Sequence, residues 1–243
     1  MIRLIALAAL LLPTPARAET ATVAVATNFA ETAEDLAAAY GKESGHSVVP
    51  TAGATGKLFA QIRAGAPFDA LLSADQATPD RIATEGLGDP ASRVTYAVGV
   101  LALWSADGTR DLSDPGAALA AATHVAVANP DLAPYGKAAA ETIAALGLTE
   151  ALAAKLVTGG NIGQAHALAA SGAADLGFVA ASALAATPGG AVWIVPDDLH
   201  SPLLQDAILL GHGAGNAAAE GFLAYLRSDE ARDIIAAAGY GLP

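Results

Sequence analysis

The chain predicts an α/β fold of two lobes. Strand-like and helix-like segments alternate along its 243 residues, as they do in βαβ units. Short apolar runs such as TVAVAT (22–27) and HVAVAN (124–129) fit strands buried on both faces. The alternation begins afresh after the long apolar run VTYAVGVLALWS (94–105), so a second α/β unit follows the first.

TVAVAT is the first strand. FAETAEDLAAAYGKESG (29–45) is a helix, with Phe29, Ala33, Leu36 and Tyr40 at helical spacing and Gly45 closing it. HSVVPTAG (46–53) is a strand, TGKLFAQIRAG (55–65) a helix, FDALLSA (68–74) a strand and DQATPDRIATEG (75–86) a helix. This order implies a parallel sheet with helices on both faces. Residues 94–105 read as one long strand that crosses between lobes. HVAVAN is the next strand. PYGKAAAETIAALGL (134–148) is a helix with Pro134 in its first turn. TEALAAKLVTGG (149–160) reads as helical, and NIGQAHALAASG (161–172) is a helix opened by an Asn cap. DLGFVAAS (175–182) and AVWIVP (191–196) are strands, LLQDAILLG (203–211) returns, and residues 215–239 supply two terminal helices. Crossings near Val98–Leu101 and Ser201–Gln205 place residues 19–98 and 205–243 in lobe 1 and 99–204 in lobe 2.

The first 18 residues stand outside this pattern. Arg3, an apolar run from Leu4 to Leu12, and Ala16-Arg17-Ala18 before Glu19 compose a secretory signal peptide, with cleavage expected after Ala18. The chain is therefore expected to be exported to the periplasm. It has no cysteine, so the exported protein relies on its core and not on disulfides. Twelve Lys and Arg stand against 24 Asp and Glu, and loss of Arg3 and Arg17 with the leader takes the formal charge from −12 to −14. Such a balance argues against nucleic acid or an anionic membrane as partner. It leaves room for a small anion, because a site is governed by its local dipoles.

Four junctions ahead of helices share one character: small, neutral and rich in hydrogen-bond donors. Thr27 and Asn28 follow the first strand, where they can cap the helix, bind an anion, or do both. In AGATGKL (52–58), Gly53 and Gly56 allow close backbone approach, and Thr55 offers a hydroxyl at the expected N-cap. The spacing is not that of a phosphate-binding P-loop. In NPDLAPYG (129–136), Tyr135 either turns its hydroxyl into a cleft or packs its ring on a neighbour. In TGGNIGQAH (158–166), Asn161 precedes free N–H groups near Ile162. Ligands of open α/β sheets bind outside the carboxyl ends of the strands, where two facing lobes bring such junctions together.

With VAVATNFAE, GATGKLFAQIRAGAPFDALLSAD, LAPYGKAA, GNIGQA and SGAADLGFVA in view, the whole mature chain resembles the periplasmic molybdate-binding proteins of ABC transporters, in the branch with a Thr-Asn pair in the first loop. The resemblance implies a type II periplasmic binding protein fold. Its two α/β lobes close by a hinge on tetrahedral molybdate or tungstate and deliver it, as a monomer without cofactor, to a membrane permease. Carried over by motif, Thr27, Asn28, Thr55, Tyr135 and Ile162 would contact the anion, Ile162 through its backbone N–H and Thr55 where the family usually has Ser. Other branches carry a tyrosine where this chain has Ala180, and the resemblance gives that role to Tyr135. No cation is expected to pair with the ligand, Lys57 being the nearest in sequence. The alternative is a binding protein for another tetrahedral oxyanion, such as sulfate or thiosulfate.

An enzyme is not expected. The chain has no G-x-S-x-G elbow, and GHGAG (211–215) leaves His212 as a lone candidate base. No two of its five histidines have H-x-x-x-H spacing. The adjacent acids Glu34-Asp35, Asp197-Asp198 and Asp229-Glu230 fit a solvated surface. Asp75 is expected to cap a helix and Asp69 to be structural, since a carboxylate in an anion site would repel the ligand.

Overall fold

The computed structural model describes residues 18–185, 187 and 189–243. The leader expected over residues 1–18 falls, apart from Ala18, outside the described residues. In the first half run β1 (Thr20–Ala26), a 3₁₀ turn (Thr27–Phe29), α1 (Ala30–Ser44), β2 (Ser47–Gly53), α2 (Thr55–Arg63), β3 (Ala70–Leu72), α3 (Ala77–Thr84) and β4 (Val94–Gly99). Then come β5 (Leu101–Ser105), α4 (Pro115–Ala121), β6 (Val125–Ala128), α5 (Pro134–Ala145), α6 (Thr149–Leu152), β7 (Leu156–Gly159), α7 (Ile162–Ala170), β8 (Leu176–Ala180), α8 (Ser182–Ala185) and β9 (Ala191–Ile194). β10 (Leu203–Leu209), α9 (Ala217–Tyr225) and α10 (Asp229–Ala237) end the chain.

The strands form two five-stranded sheets, ordered β2-β1-β3-β10-β4 and β7-β6-β8-β5-β9. Both are mixed. β1 pairs in parallel with β2 and β3, while β10 runs antiparallel to β3 and β4. β6 pairs in parallel with β7 and β8, while β5 runs antiparallel to β8 and β9. The three strands of the βαβαβα run are parallel, as their order implies, and β10, returning from the second sheet, joins antiparallel between β3 and β4 and makes the sheet mixed.

Alternation along β1 shows how the first sheet is covered. Val23 and Val25 face α1, α9 and α10, packing with Phe29, Leu36, Phe222 and Ile235. Ala24 faces the other side, with Leu58, Phe59 and Ile62 of α2 and Ile82 of α3. The second sheet buries Leu101, Leu103, Val125 and Phe178 against Leu119 of α4 and Ile143 of α5. α1 ends where Gly45 takes a left-handed conformation, φ 75°, and donates its N–H to Gly41 O.

Three expectations change. The run 94–105 is two strands, because the chain leaves one sheet at Gly99 and joins the other at Leu101. Residues 149–160 are helical only to Leu152. The β-branched Val157 and Thr158 then pair with Ala126 and Val127 of β6 as an edge strand, from Leu156 opposite Val125 to Gly159 opposite Ala128. Residues 175–182 end as strand at Ala180, and Ser182 opens α8. Among the described residues no helix is long and apolar enough to cross a membrane.

Candidate ligand-binding site

The starts of four helical segments converge between the two sheets. They enclose a small cavity lined by Thr27, Asn28, Thr55, Tyr135 and Ile162 together, with Gly53, Ala74 and Asn161 among its other walls. About 10 Å³ is open to the centre of a water-sized sphere, so the space suits one compact ligand. No charged side chain lines it. Each helix start presents N–H groups without intrahelical partners and the positive end of a dipole.

Thr27 and Asn28 sit in the 3₁₀ turn that carries β1 into α1. Neither caps a helix through its side chain, which corrects the capping expectation: the cap positions are Ala26 and Phe29. The Thr27 hydroxyl is buried with no protein partner. An orphaned donor of that kind costs about 1–3 kcal/mol unless a ligand accepts from it. The Asn28 amide Nδ2 donates to Gln205 Oε1 at 2.9 Å and to the Tyr240 hydroxyl at 3.3 Å. Asn28 therefore has its backbone N–H to offer.

Thr55, expected at the N-cap, is instead the first residue of α2, one place inside the cap, which is Ala54. Its hydroxyl is buried and accepts from Ala74 N at 3.4 Å, leaving its proton free to point elsewhere. The next N–H, of Gly56, donates to Leu132 O at 2.9 Å and ties α2 to the loop before α5. A Cβ at Gly56 would lie 3.2 Å from Leu132 Cα, so glycine permits this approach.

Tyr135 does both things the sequence allowed. Its ring packs in the core beneath α5, and the residue is 1% exposed. Its hydroxyl lies 3.4 Å from Gln205 Nε2, and the residue is one of those that line the cavity. Burial pushes that hydroxyl well above the usual tyrosine range, so it is a neutral donor at any physiological pH. Ile162 opens α7, and the Asn161 cap accepts from Gln164 N at 2.9 Å. At Gly163 a Cβ would come within 2.9 Å of Thr27 Cγ2, so α7 lies directly against the first turn.

The other candidates lie apart from the cavity. Lys57 does not line it. His212 Nδ1 is 2.9 Å from Asp69, which also accepts from Thr22 N and is structural. Asp75 accepts from Ser73 Oγ and Thr78 N at the start of α3. The three acidic pairs are exposed. Ala180 lines the neighbouring cleft with Glu31 and His166, whose pKa is held below the usual histidine value by burial. Among the described residues no cluster of His, Cys, Asp or Glu could hold a metal ion.

Sequence reasoning missed the residues behind the cavity. Gln205 and Asp206 are polar residues inside the buried run of β10, at 0% and 1% exposure. Two adjacent polar residues within LLQDAILL were the available signal.

Two α/β lobes around a small, neutral, donor-lined cavity define a binding protein for a compact solute. The chain belongs to the bacterial extracellular solute-binding protein family, whose model matches residues 21–241. Among curated proteins it is 46% identical over 243 aligned residues to molybdate-binding protein ModA of Azotobacter vinelandii, covering 98% of this chain and 96% of that one. It is 47% identical over 227 residues to the Rhodobacter capsulatus protein of the same name, covering 93% and 90%. Among solved structures it superposes on the periplasmic molybdate-binding protein of Azotobacter vinelandii with a TM-score of 0.87 at 41% identity, covering 92% of this chain and 99% of that one.

Proposed function

We propose that this protein captures molybdate, and tungstate with it, in the periplasm and delivers it to the permease of an ABC transporter. The observation that carries the reading is a cavity at four helix starts, walled by neutral donors and free of charged side chains, in a chain so similar to molybdate-binding proteins. Molybdate at neutral pH is a dianion whose oxygens only accept hydrogen bonds. Thr27 Oγ1, Thr55 Oγ1, the Tyr135 hydroxyl and the backbone N–H groups of Asn28 and Ile162 can all donate to it. A protonated phosphate brings a hydroxyl that must turn one of these groups from donor to acceptor and so forfeits a hydrogen bond, at a cost of about 1–3 kcal/mol. Sulfate lacks that proton, so cavity size discriminates against it. Thr55, with a methyl that Ser lacks, takes part in setting that size.

In this reading residues 19–98 and 205–243 form lobe 1 and 99–204 form lobe 2. The anion docks on one lobe, and closure adds the donors of the other, with the Gly56-to-Leu132 hydrogen bond fastening the closed state. Neutral donors release the ligand more readily than a buried counter-ion would. The protein acts as a monomer after cleavage at Ala18, catalyses no reaction, and needs neither cofactor nor nucleic acid.

Thermal unfolding with molybdate, tungstate, sulfate and phosphate in turn tests the reading. A ligand at 100 times its dissociation constant stabilises by about 2.7 kcal/mol. Shifts with molybdate and tungstate alone support it. A shift with sulfate instead keeps the binding site and overturns the substrate.

A further inference from the structure

Behind the cavity, five side chains form a hydrogen-bonded network whose direction is fixed from one end. The Tyr240 hydroxyl donates to the backbone carbonyl of Asn28. Its proton is thereby committed, so the Asn28 group facing it at 3.3 Å must be the amide NH₂. The same NH₂ donates to Gln205 Oε1 at 2.9 Å. The Tyr96 hydroxyl also faces that oxygen, at 3.1 Å, while lying 3.0 Å from Ser73 O. Gln205 thus presents its oxygen to Asn28 and Tyr96, and its Nε2 to the Tyr135 hydroxyl at 3.4 Å.

A phenolic oxygen that accepts from an amide keeps one proton to donate, and Tyr135 is one of the residues that line the cavity. Gln205 is 0% exposed, so no bulk water substitutes for it. β10 is built to deliver it. The β10–β4 register slips between Gln205 and Asp206, where Gln205 lies opposite Ala97 and Asp206 opposite Thr95. Such an irregularity re-aims neighbouring side chains. Here Gln205 turns to the cavity side and Asp206 to Arg93, Thr95 and Gln76. A Cβ at Gly99 would collide with the Tyr135 hydroxyl and lie 2.8 Å from Gln205 Nε2, so glycine makes room for the pair.

We propose that Gln205 is a positioning residue that holds the Tyr135 hydroxyl as an obligate donor toward the cavity, and so sets selectivity for fully deprotonated oxyanions over those that carry a proton. Burial, and then Tyr240, push the pKa of that hydroxyl up, while the Gln205 amide, the backbone N–H of Val100 and the Asn28 amide oppose the push. The inference rests on the oxyanion reading above. Without Gln205 the hydroxyl loses one of the donors that fill its lone pairs and gains the capacity to accept from a ligand. A hydrogenphosphate O–H then finds at Tyr135 an acceptor that the native arrangement withholds.

The test is calorimetric titration of molybdate and of hydrogenphosphate at pH 8 into the wild type, Gln205→Met, Tyr135→Phe and the double variant. Gln205→Leu stands in if the methionine variant does not fold, with folding checked by circular dichroism. Gln205→Met should weaken molybdate about tenfold, the worth of one directed hydrogen bond to an anion, and narrow the molybdate-to-phosphate affinity ratio by at least as much. In the Tyr135→Phe background the same substitution should change molybdate affinity less than about twofold. An equal loss in both backgrounds, or an unchanged anion ratio, overturns the role of Gln205. A wild type that ignores molybdate overturns the oxyanion reading itself, a distinguishable failure.

Discussion

Replacing Gly99 with alanine probes the tightest contact behind the cavity. Gly99 ends β4, and its φ is not in the left-handed region, so the backbone accepts alanine. The obstacle is space. The added methyl would collide with the Tyr135 hydroxyl oxygen and sit 3.0 Å from Tyr135 Cζ and 2.8 Å from Gln205 Nε2. Overpacking of this kind costs about 1–3 kcal/mol. Alanine recovers about 0.5–1 kcal/mol of the entropy that glycine loses in a strand. A net loss near 1–2 kcal/mol follows, and for a protein of this size each kcal/mol lowers Tm by about 2–4 °C. The ring must shift to relieve the clash, so molybdate affinity should fall at least about tenfold. The assay is urea unfolding together with calorimetric titration. Combining Gly99→Ala with Tyr135→Phe removes the colliding oxygen, so the double variant should be at least about 1 kcal/mol more stable than the sum of the single effects. Full stability and native affinity in Gly99→Ala alone would refute this placement of the tyrosine.

Four further outcomes are expected. Asn28→Asp should abolish molybdate binding and also lower the stability of the free protein, because a carboxylate would face Gln205 Oε1 in place of an NH₂; titration and urea unfolding read the two effects. Thr55→Ser should keep affinity within a few-fold while Thr55→Ala loses about tenfold, since the hydroxyl is the shared feature. Arg93→Ala leaves Asp206, whose side chain is 2% exposed, without its ion-pair partner; it should cost about 3 kcal/mol in urea unfolding with molybdate affinity unchanged. Burial pushes the Tyr240 hydroxyl up to about 12 from its ordinary 10. A raised folded pKa means this contribution is intact below pH 10 and is lost as pH rises toward 12, by about 3 kcal/mol. Stability should therefore fall between pH 10 and 12, while molybdate affinity stays flat from pH 7 to 9.

How far the sequence could be read depended on where the deciding contacts lay. β1, α1 and Gly45 were legible because apolar period, helix spacing and a left-handed terminus are local properties. Gathering Thr27, Asn28, Thr55, Tyr135 and Ile162 at one cavity needed only the rule that strand ends carry ligands and the resemblance of their motifs. β7 was misread because Ala153 and Ala154 extend a helical pattern locally, whereas pairing with β6 decides the strand. The reversed entry of β10 is equally non-local. Thr27 and Asn28 look like caps in sequence. The competing partners of Asn28 are Gln205 and Tyr240, 177 and 212 residues away. Gln205 itself stood out only as a polar residue in an apolar strand.

The central claim is that an oxyanion is held by neutral donors at four helix starts, with no counter-charge. A crystal structure of the mature protein soaked with molybdate, using molybdenum anomalous scattering, tests it most directly. The account predicts one peak in the cavity between Thr27, Thr55, Tyr135 and Ile162, its oxygens within hydrogen-bonding distance of their hydroxyls and N–H groups and no Lys, Arg or His in contact. A peak beside Lys57, or in the neighbouring cleft against His166, would contradict it.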